Sequence, residues 1–227
     1  MKFCRYGAKG AEKPGLVDAA GRVRDLSGHI ADVTVEAIAG LADVDAETLP
    51  LVEGDPRLGV PFSGISKIVV IGKTCRHVTK EAALDHVAGY VLVNDVSERF
   101  NQKERGTQWS KGKGHDTFCP VGPWLVTPDE VGDPQTLDMS LDVNGERMQT
   151  GNTKTMIFDV AELISYVSEY VTLEPGDLMI TGTPPGVGEG KKPEKIFLKP
   201  GDTMTLAIDR LGSSTQSVVA FDLGRFR

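Results

Sequence analysis

Short runs of alternating apolar and polar residues, each closed by Gly, Pro, Asn or Asp, recur along this chain and predict strands joined by tight turns. Residues 2–6, 15–18 and 23–26 read as a small meander that turns at Ala19-Ala20-Gly21. The spacing over 34–41 and 45–49 predicts short helices. Gly54-Asp55-Pro56 and Gly59-Val60-Pro61 then mark a linker, which places a domain boundary near residue 60. Beyond it, 65–71 is a β-branched run, 79–86 a helix opened by Thr79 with Glu81 in its first turn, and 89–94 an apolar strand that ends at Asp95. A carboxylate where a strand leaves its sheet is well placed to face a cleft from a rigid support.

Further on, Leu137, Met139, Leu141 and Val143 alternate with Asp138, Ser140 and Asp142 and run into Asn144-Gly145, which predicts an antiparallel hairpin with one wet face. Asp159 caps a predicted helix whose Val160, Leu163, Ile164, Val167 and Tyr170 recur at helical spacing and so pack on a sheet. Two Leu-x-Pro-Gly-Asp turns, at 173–177 and 198–202, feed alternating runs over 178–181 and 203–208. This echo suggests a roll or barrel of mixed strands.

At 227 residues, the chain is long enough for one large domain, or for one domain with a small N-terminal appendage. With 40% apolar and 25% charged residues it has the composition of an ordinary globular protein, and no segment approaches the roughly 18 consecutive apolar residues of a membrane span. The first residues lack the apolar core of a secretory signal, so a cytoplasmic location is the default expectation. Cys4, Cys75 and Cys119 are odd in number and widely spaced, which argues for inert buried thiols rather than a disulfide framework or a metal clip. A net charge of -7 disfavours a nucleic-acid surface, and the run Lys191-Lys192-Pro193-Glu194-Lys195 reads as a solvated loop.

The chemistry concentrates in Asp95, Arg99, Gln102 and Lys113, joined later by Thr181-Gly182-Thr183-Pro184-Pro185-Gly186. A hard acidic ligand, a planar guanidinium, an amide, an amine and a hydroxyl-bearing Gly/Pro loop are the parts that hold a small carboxylate on a divalent ion. Each has a plainer reading. Asp95 could close a turn, Arg99 could bridge to Asp95 or Glu98, Gln102 could be a surface amide, and Thr183 could sit in an ordinary turn. His115 and Asp116 are adjacent, which on a strand would send them to opposite faces, so both read as structural. His29, His77 and His86 lack metal spacing, Lys111 reads as a solvated amine, and Glu98 and Glu104 read as solvated too.

Taken in order, Asp95-x-x-x-Arg99-x-x-Gln102, then 109–124 with Lys113, then Met156-Ile157-Phe158, Gly176-Asp177 and 181–188 resemble the fumarylacetoacetate hydrolase family over about residues 65–210. The N-terminal Arg5-Tyr6-Gly7 and Gly21-Arg22-Val23-Arg24-Asp25-Leu26 look like its bacterial branch of ureidoglycolate lyases and 2,4-diketo-3-deoxy sugar acid hydrolases. The resemblance implies an α+β, mostly β fold, with a small N-terminal α/β domain over 1–60 and a catalytic mixed β-roll over 61–227. It also implies a homodimer that binds Mg2+ or Mn2+ and cleaves small 2-keto or 2,4-diketo acids, with no nucleic-acid or membrane partner. Asp95 matches the last of three metal-binding carboxylates. Arg99, Gln102 and Lys113 match positions that contact substrate or the metal's outer shell, Lys113 opposing enolate charge, and Thr183 matches the receiver of the substrate carboxylate.

One departure stands out. The family carries a segment with a His/Glu pair and a Glu-x-Glu motif between strands like 66–69 and 70–73, and here Val69 is followed directly by Val70. Either the native protein holds this segment as a mobile lid beyond these 227 residues, or it lacks the segment. The first is the preferred reading, and a Cα separation at this step well above about 3.8 Å would mark it. A ureidoglycolate lyase and an oxaloacetate-type decarboxylase or tautomerase are the alternative enzymes. A degenerate, non-catalytic binder of small acids is the alternative from another class.

Overall fold

Alternation along the strands decides the layering. This computed structural model describes residues 1–61 and 69–226. A six-stranded sheet has the order β3-β2-β1-β6-β5-β4, built from β1 (Lys2–Tyr6), β2 (Lys13–Val17), β3 (Val23–Asp25), β4 (Val69–Ile71), β5 (Val87–Val93) and β6 (Val121–Val126). A four-stranded sheet has the order β10-β9-β7-β8, from β7 (Asp138–Val143), β8 (Glu146–Asn152), β9 (Thr203–Ile208) and β10 (Gly212–Ser217). The chain is mostly β with few helices, as expected, and every pairing between these strands is antiparallel.

Successive residues of β4 and β5 go to opposite cores. Val69, Ile71, Tyr90 and Leu92 join Met204 and Leu206 of β9 and Val160 and Ile164 of the later helix. Val70 and Val91 join Phe3, Leu16, Leu26, Val33, Leu41 and Leu49 from the N-terminal region. The larger sheet is therefore buried on both faces and forms the middle layer. The N-terminal strands belong to it, because β1 pairs with β6 through Lys2↔Val126 and Phe3↔Leu125.

Several expected elements appear in place. Thr34 caps α1 (Val35–Ala39), Asn144 and Gly145 take positive φ in the β7–β8 turn, and Asp159 accepts from the Glu162 N–H at 2.7 Å to open the 11-residue helix Val160–Tyr170. Others differ. The expected helix over 79–86 is only a single 3-10 turn, Ala83–His86, because the chain there closes i to i−3 bonds and then enters β5. The run 178–181 makes only a short two-way pairing of Met179 with Val69. Residues 65–68 of the expected β-branched run lie outside the described residues. Val69 and Val70 are consecutive in β4, opposite Tyr90 and Gly89, so the wide Cα separation expected here for an omitted segment is not found. No helix among the described residues is long and apolar enough to cross a membrane.

Candidate active site

The exit of β5 sets the position of Asp95. Asn94 is buried, its N–H donates to the Pro120 carbonyl at 3.1 Å, and its side-chain amide donates to Gln216 Oε1 of β10 at 3.0 Å. The strand end is thus pinned to both neighbouring segments, and the next residue is the candidate ligand. Lys113 Nζ lies 2.5 Å from Asp95 Oδ2 and donates to it. Asp95 therefore pairs with Lys113, not with Arg99.

Glu98 is not a solvated carboxylate. It caps α2 (Arg99–Lys103) by accepting from the N–H groups of Phe100 and Asn101, at 3.3 and 2.5 Å. Its own N–H donates to the Gly112 carbonyl at 2.8 Å. A Cβ at Gly112 would stand 2.5 Å from both Gln102 Cβ and the Glu98 carbonyl oxygen, so only glycine lets the turn carrying Lys113 lie this close to α2. Sequence spacing alone could not show this contact between Gly112, next to the Asp95-linked Lys113, and the helix of Arg99 and Gln102.

Within α2, Arg99 Nη1 donates to Gln102 Oε1 at 2.7 Å. Gln102 is not a surface amide, because it is fully buried, and its Nε2 has no hydrogen-bond partner among the described residues. Arg99 Nε faces Glu189 Oε2 at 3.4 Å, a partner that sequence reasoning missed. Glu189 also meets Lys103 at 2.9 Å and Lys195 at 3.5 Å. The Lys103 contact, then the charges of Arg99 and Lys195, hold its carboxyl below the usual range against the opposing effect of burial.

Thr183 sits in the loop between Gly182 and Gly186, both at positive φ. The loop presses on β8, where a Cβ at Gly186 would collide with the Met148 carbonyl. Gln149 of β8, also missed from sequence, donates its amide to Thr183 Oγ1 and to the Pro184 carbonyl, each at 2.7 Å. Because the Thr183 oxygen accepts that bond, its own hydroxyl hydrogen is left to donate.

Cys119 is half-buried at φ 55°, and burial, then the Asp95 charge, raise its pKa while Lys113 acts against them. Cys4 is pushed up to about 12 by burial and Cys75 is raised by it, which fits the expected inert thiols. His115 lies in a loop rather than on a strand, within 3.3 Å of Asn101 Nδ2 and packed on Phe118.

These residues do not by themselves fit a divalent ion. Among the described residues no three His, Cys, Asp or Glu side chains gather as a metal cage, and Asp95 already carries an ammonium. Their guanidinium, amide, hydroxyl and ammonium groups are donor types suited to an anion with an adjacent carbonyl, with Thr183 held by Gln149, Arg99 by Gln102 and Lys113 by Asp95.

Comparison with known proteins agrees with the motif order. The family model described as "Fumarylacetoacetate (FAA) hydrolase C-terminal" matches residues 68–219. The chain belongs to the fumarylacetoacetate hydrolase family. It is 58% identical to a 2,4-didehydro-3-deoxy-L-rhamnonate hydrolase from Sphingomonas sp., over 96% of each chain. That alignment extends over 273 residues although this chain has 227, so the relative holds residues without a counterpart here. Among solved structures it resembles a fumarylacetoacetate hydrolase from Exiguobacterium antarcticum, with a TM-score of 0.87 and 31% identity over 97% of this chain and 100% of that one. It also resembles the maleylpyruvate hydrolase of Sphingobium sp. in complex with manganese(II) and pyruvate, with a TM-score of 0.70 and 27% identity over 96% and 99% of the two chains.

Proposed function

We propose that this chain hydrolyses the C–C bond between the two carbonyls of a 2,4-diketo-3-deoxy sugar acid, releasing pyruvate. The observation that carries the reading is Gln102, a fully buried amide held by Arg99 through its oxygen, with its N–H donors unpartnered among the described residues. A buried donor without a partner costs about 1–3 kcal/mol, which is tolerated where a ligand supplies the acceptor. The similarity to the L-rhamnonate-derived acid hydrolase supports this substrate class over ureidoglycolate or oxaloacetate.

Arg99 pairs with the substrate carboxylate, Gln102 Nε2 donates to the neighbouring keto oxygen, and the Thr183 hydroxyl donates a further bond to the carboxylate. Water adds to the C4 carbonyl and the C3–C4 bond breaks. The electron pair moves onto C3 as the enolate of pyruvate, and C4 departs as the carboxylate of a hydroxy acid. Lys113 opposes the enolate charge, which is largest as the bond breaks and is therefore worth stabilising there. A proton to C3 then completes pyruvate.

The reading includes a divalent ion, Mg2+ or Mn2+, with Asp95 as one oxygen ligand. When bound it supplies Lewis acidity. Its remaining carboxylates, and the His/Glu pair that activates water, would have to come from residues outside these 227, a reading supported by the 273-residue alignment with the L-rhamnonate-derived acid hydrolase. We also propose a cytoplasmic homodimer; Ile157 at 91% exposure and Phe158 at 54% support an apolar contact face.

The test is a comparison of kcat/KM for 2,4-diketo-3-deoxy-L-rhamnonate, ureidoglycolate and oxaloacetate with Mn2+ present. The diketo acid is expected to lead by at least about a hundredfold. Preference for either of the others would overturn the substrate assignment.

A further inference from the structure

We propose that Glu189 is a positioning residue that sets the orientation of Arg99 and joins the two halves of the substrate site. The proposal rests on the functional reading above, in which Arg99 receives the substrate carboxylate. Arg99 and Lys103 stand four residues apart on α2 and so share a face, and both reach the same oxygen, Glu189 Oε2, at 3.4 and 2.9 Å. Lys195 approaches the other oxygen at 3.5 Å. With 18% of its side chain exposed, Glu189 is screened less than a surface pair would be.

Its place in the chain matters as much as its charge. Glu189 lies on the short turn Gly188–Gly190, six residues after Thr183. That loop is seated firmly, since a Cβ at Gly188 would collide with the Ile196 carbonyl and one at Gly186 with the Met148 carbonyl. One carboxylate on a seated loop therefore grips the helix that carries the other substrate donors.

Arg99 is fixed from two sides. Nη1 donates to Gln102 and Nε faces Glu189, which defines the plane of the guanidinium. Among the described residues its remaining N–H groups meet no other partner, which leaves them for a carboxylate. Without Glu189, three neighbouring cations lose their common counter-charge, and Arg99 regains rotamer freedom that substrate must then remove. The contact with Arg99 exists in both ground and transition states, so its loss raises KM and spares kcat.

The experiment compares Glu189→Gln, Glu189→Asp and Lys103→Gln with the wild type, by turnover of the diketo acid and by calorimetric binding of pyruvate, both with Mn2+. Glu189→Gln is expected to raise KM and the pyruvate Kd about tenfold with kcat within about twofold. Glu189→Asp should recover part of the loss, and Lys103→Gln, which leaves the Arg99 contact in place, should stay within about twofold of the wild type. An unchanged or lowered KM in Glu189→Gln would overturn the proposal, as would an equal loss in Lys103→Gln or a fall in kcat that tracks the folded fraction. Failure of the wild type itself to bind pyruvate or turn over would instead overturn the functional reading, and this inference with it.

Discussion

Gln102 sets stability against binding. Replacing it with Met removes an unpaired buried amide while keeping volume, so Gln102→Met should melt at or above the wild-type temperature although Arg99 loses an acceptor. Its KM should rise by at least about tenfold, because the keto oxygen loses its donor. Melting curves beside initial-rate kinetics check both halves, and a destabilised variant with unchanged KM would make Gln102 a packing residue. At this scale residue type alone singled out Asp95, Arg99, Lys113 and Thr183, and the structure sets Lys113 on Asp95, Arg99 on Gln102 and Thr183 on Gln149. The sequence was illegible where role depends on a distant partner. Glu189 meets Lys103 across 86 residues and Gln149 meets Thr183 across 34, and nothing local announces either pair. An acidic residue inside a glycine-rich run was the one available signal for Glu189.

Among the elements, α2 and the turn Trp109–Gly112 behave as one piece, because Gly112 packs without a Cβ against Gln102 and its carbonyl receives the Glu98 N–H. Gly112→Ala should therefore cost about 1–3 kcal/mol of stability and move Lys113 away from α2. Chemical denaturation measures the first and turnover the second; a fully active, equally stable variant would contradict this packing. Strands with a clear apolar alternation were legible, and so were the Asn144-Gly145 turn and the Asp159 cap. β6 was not, since Gly122 and Pro123 interrupt its pattern. β10 was not either, because Gly-Ser-Ser-Thr-Gln-Ser offers no apolar face, and its pairing with β9 along all six residues comes from tertiary context. Glu98 likewise gave no sign in sequence of capping a helix only five residues long.

For the whole molecule, one contribution to acid sensitivity comes from the N-terminal meander. Asp18 is buried, and burial would raise its pKa, but the Arg22 N–H and the guanidinium groups of Arg24 and Arg22 outweigh that and hold it at about 2. A folded pKa below the ordinary 3.8 means that Asp18 contributes stability above that pH and loses it as pH falls towards 2. Asp18→Asn should accordingly lower Tm at neutral pH and flatten the fall in Tm between about pH 4 and 2. Parallel slopes for wild type and variant would remove Asp18 from the account. The division near residue 60 stays a proposal, with the family match beginning at residue 68 while β1 and β6 pair across that point.

Chain length bears on function at the same scale. An intact mass several kDa above the 24.4 kDa of these 227 residues is expected for the native protein, and a mass equal to it would favour the degenerate, acid-binding alternative. In the longer chain, Asp95→Ala should abolish Mn2+ binding and turnover together, and turnover that survives would refute Asp95 as a ligand. The most direct measurement is the product balance from 2,4-diketo-3-deoxy-L-rhamnonate, with Mn2+ and protein of verified mass. Cleavage at C3–C4 requires one pyruvate and one lactate for each molecule consumed; consumption without pyruvate, or none at all, would contradict a C–C hydrolase.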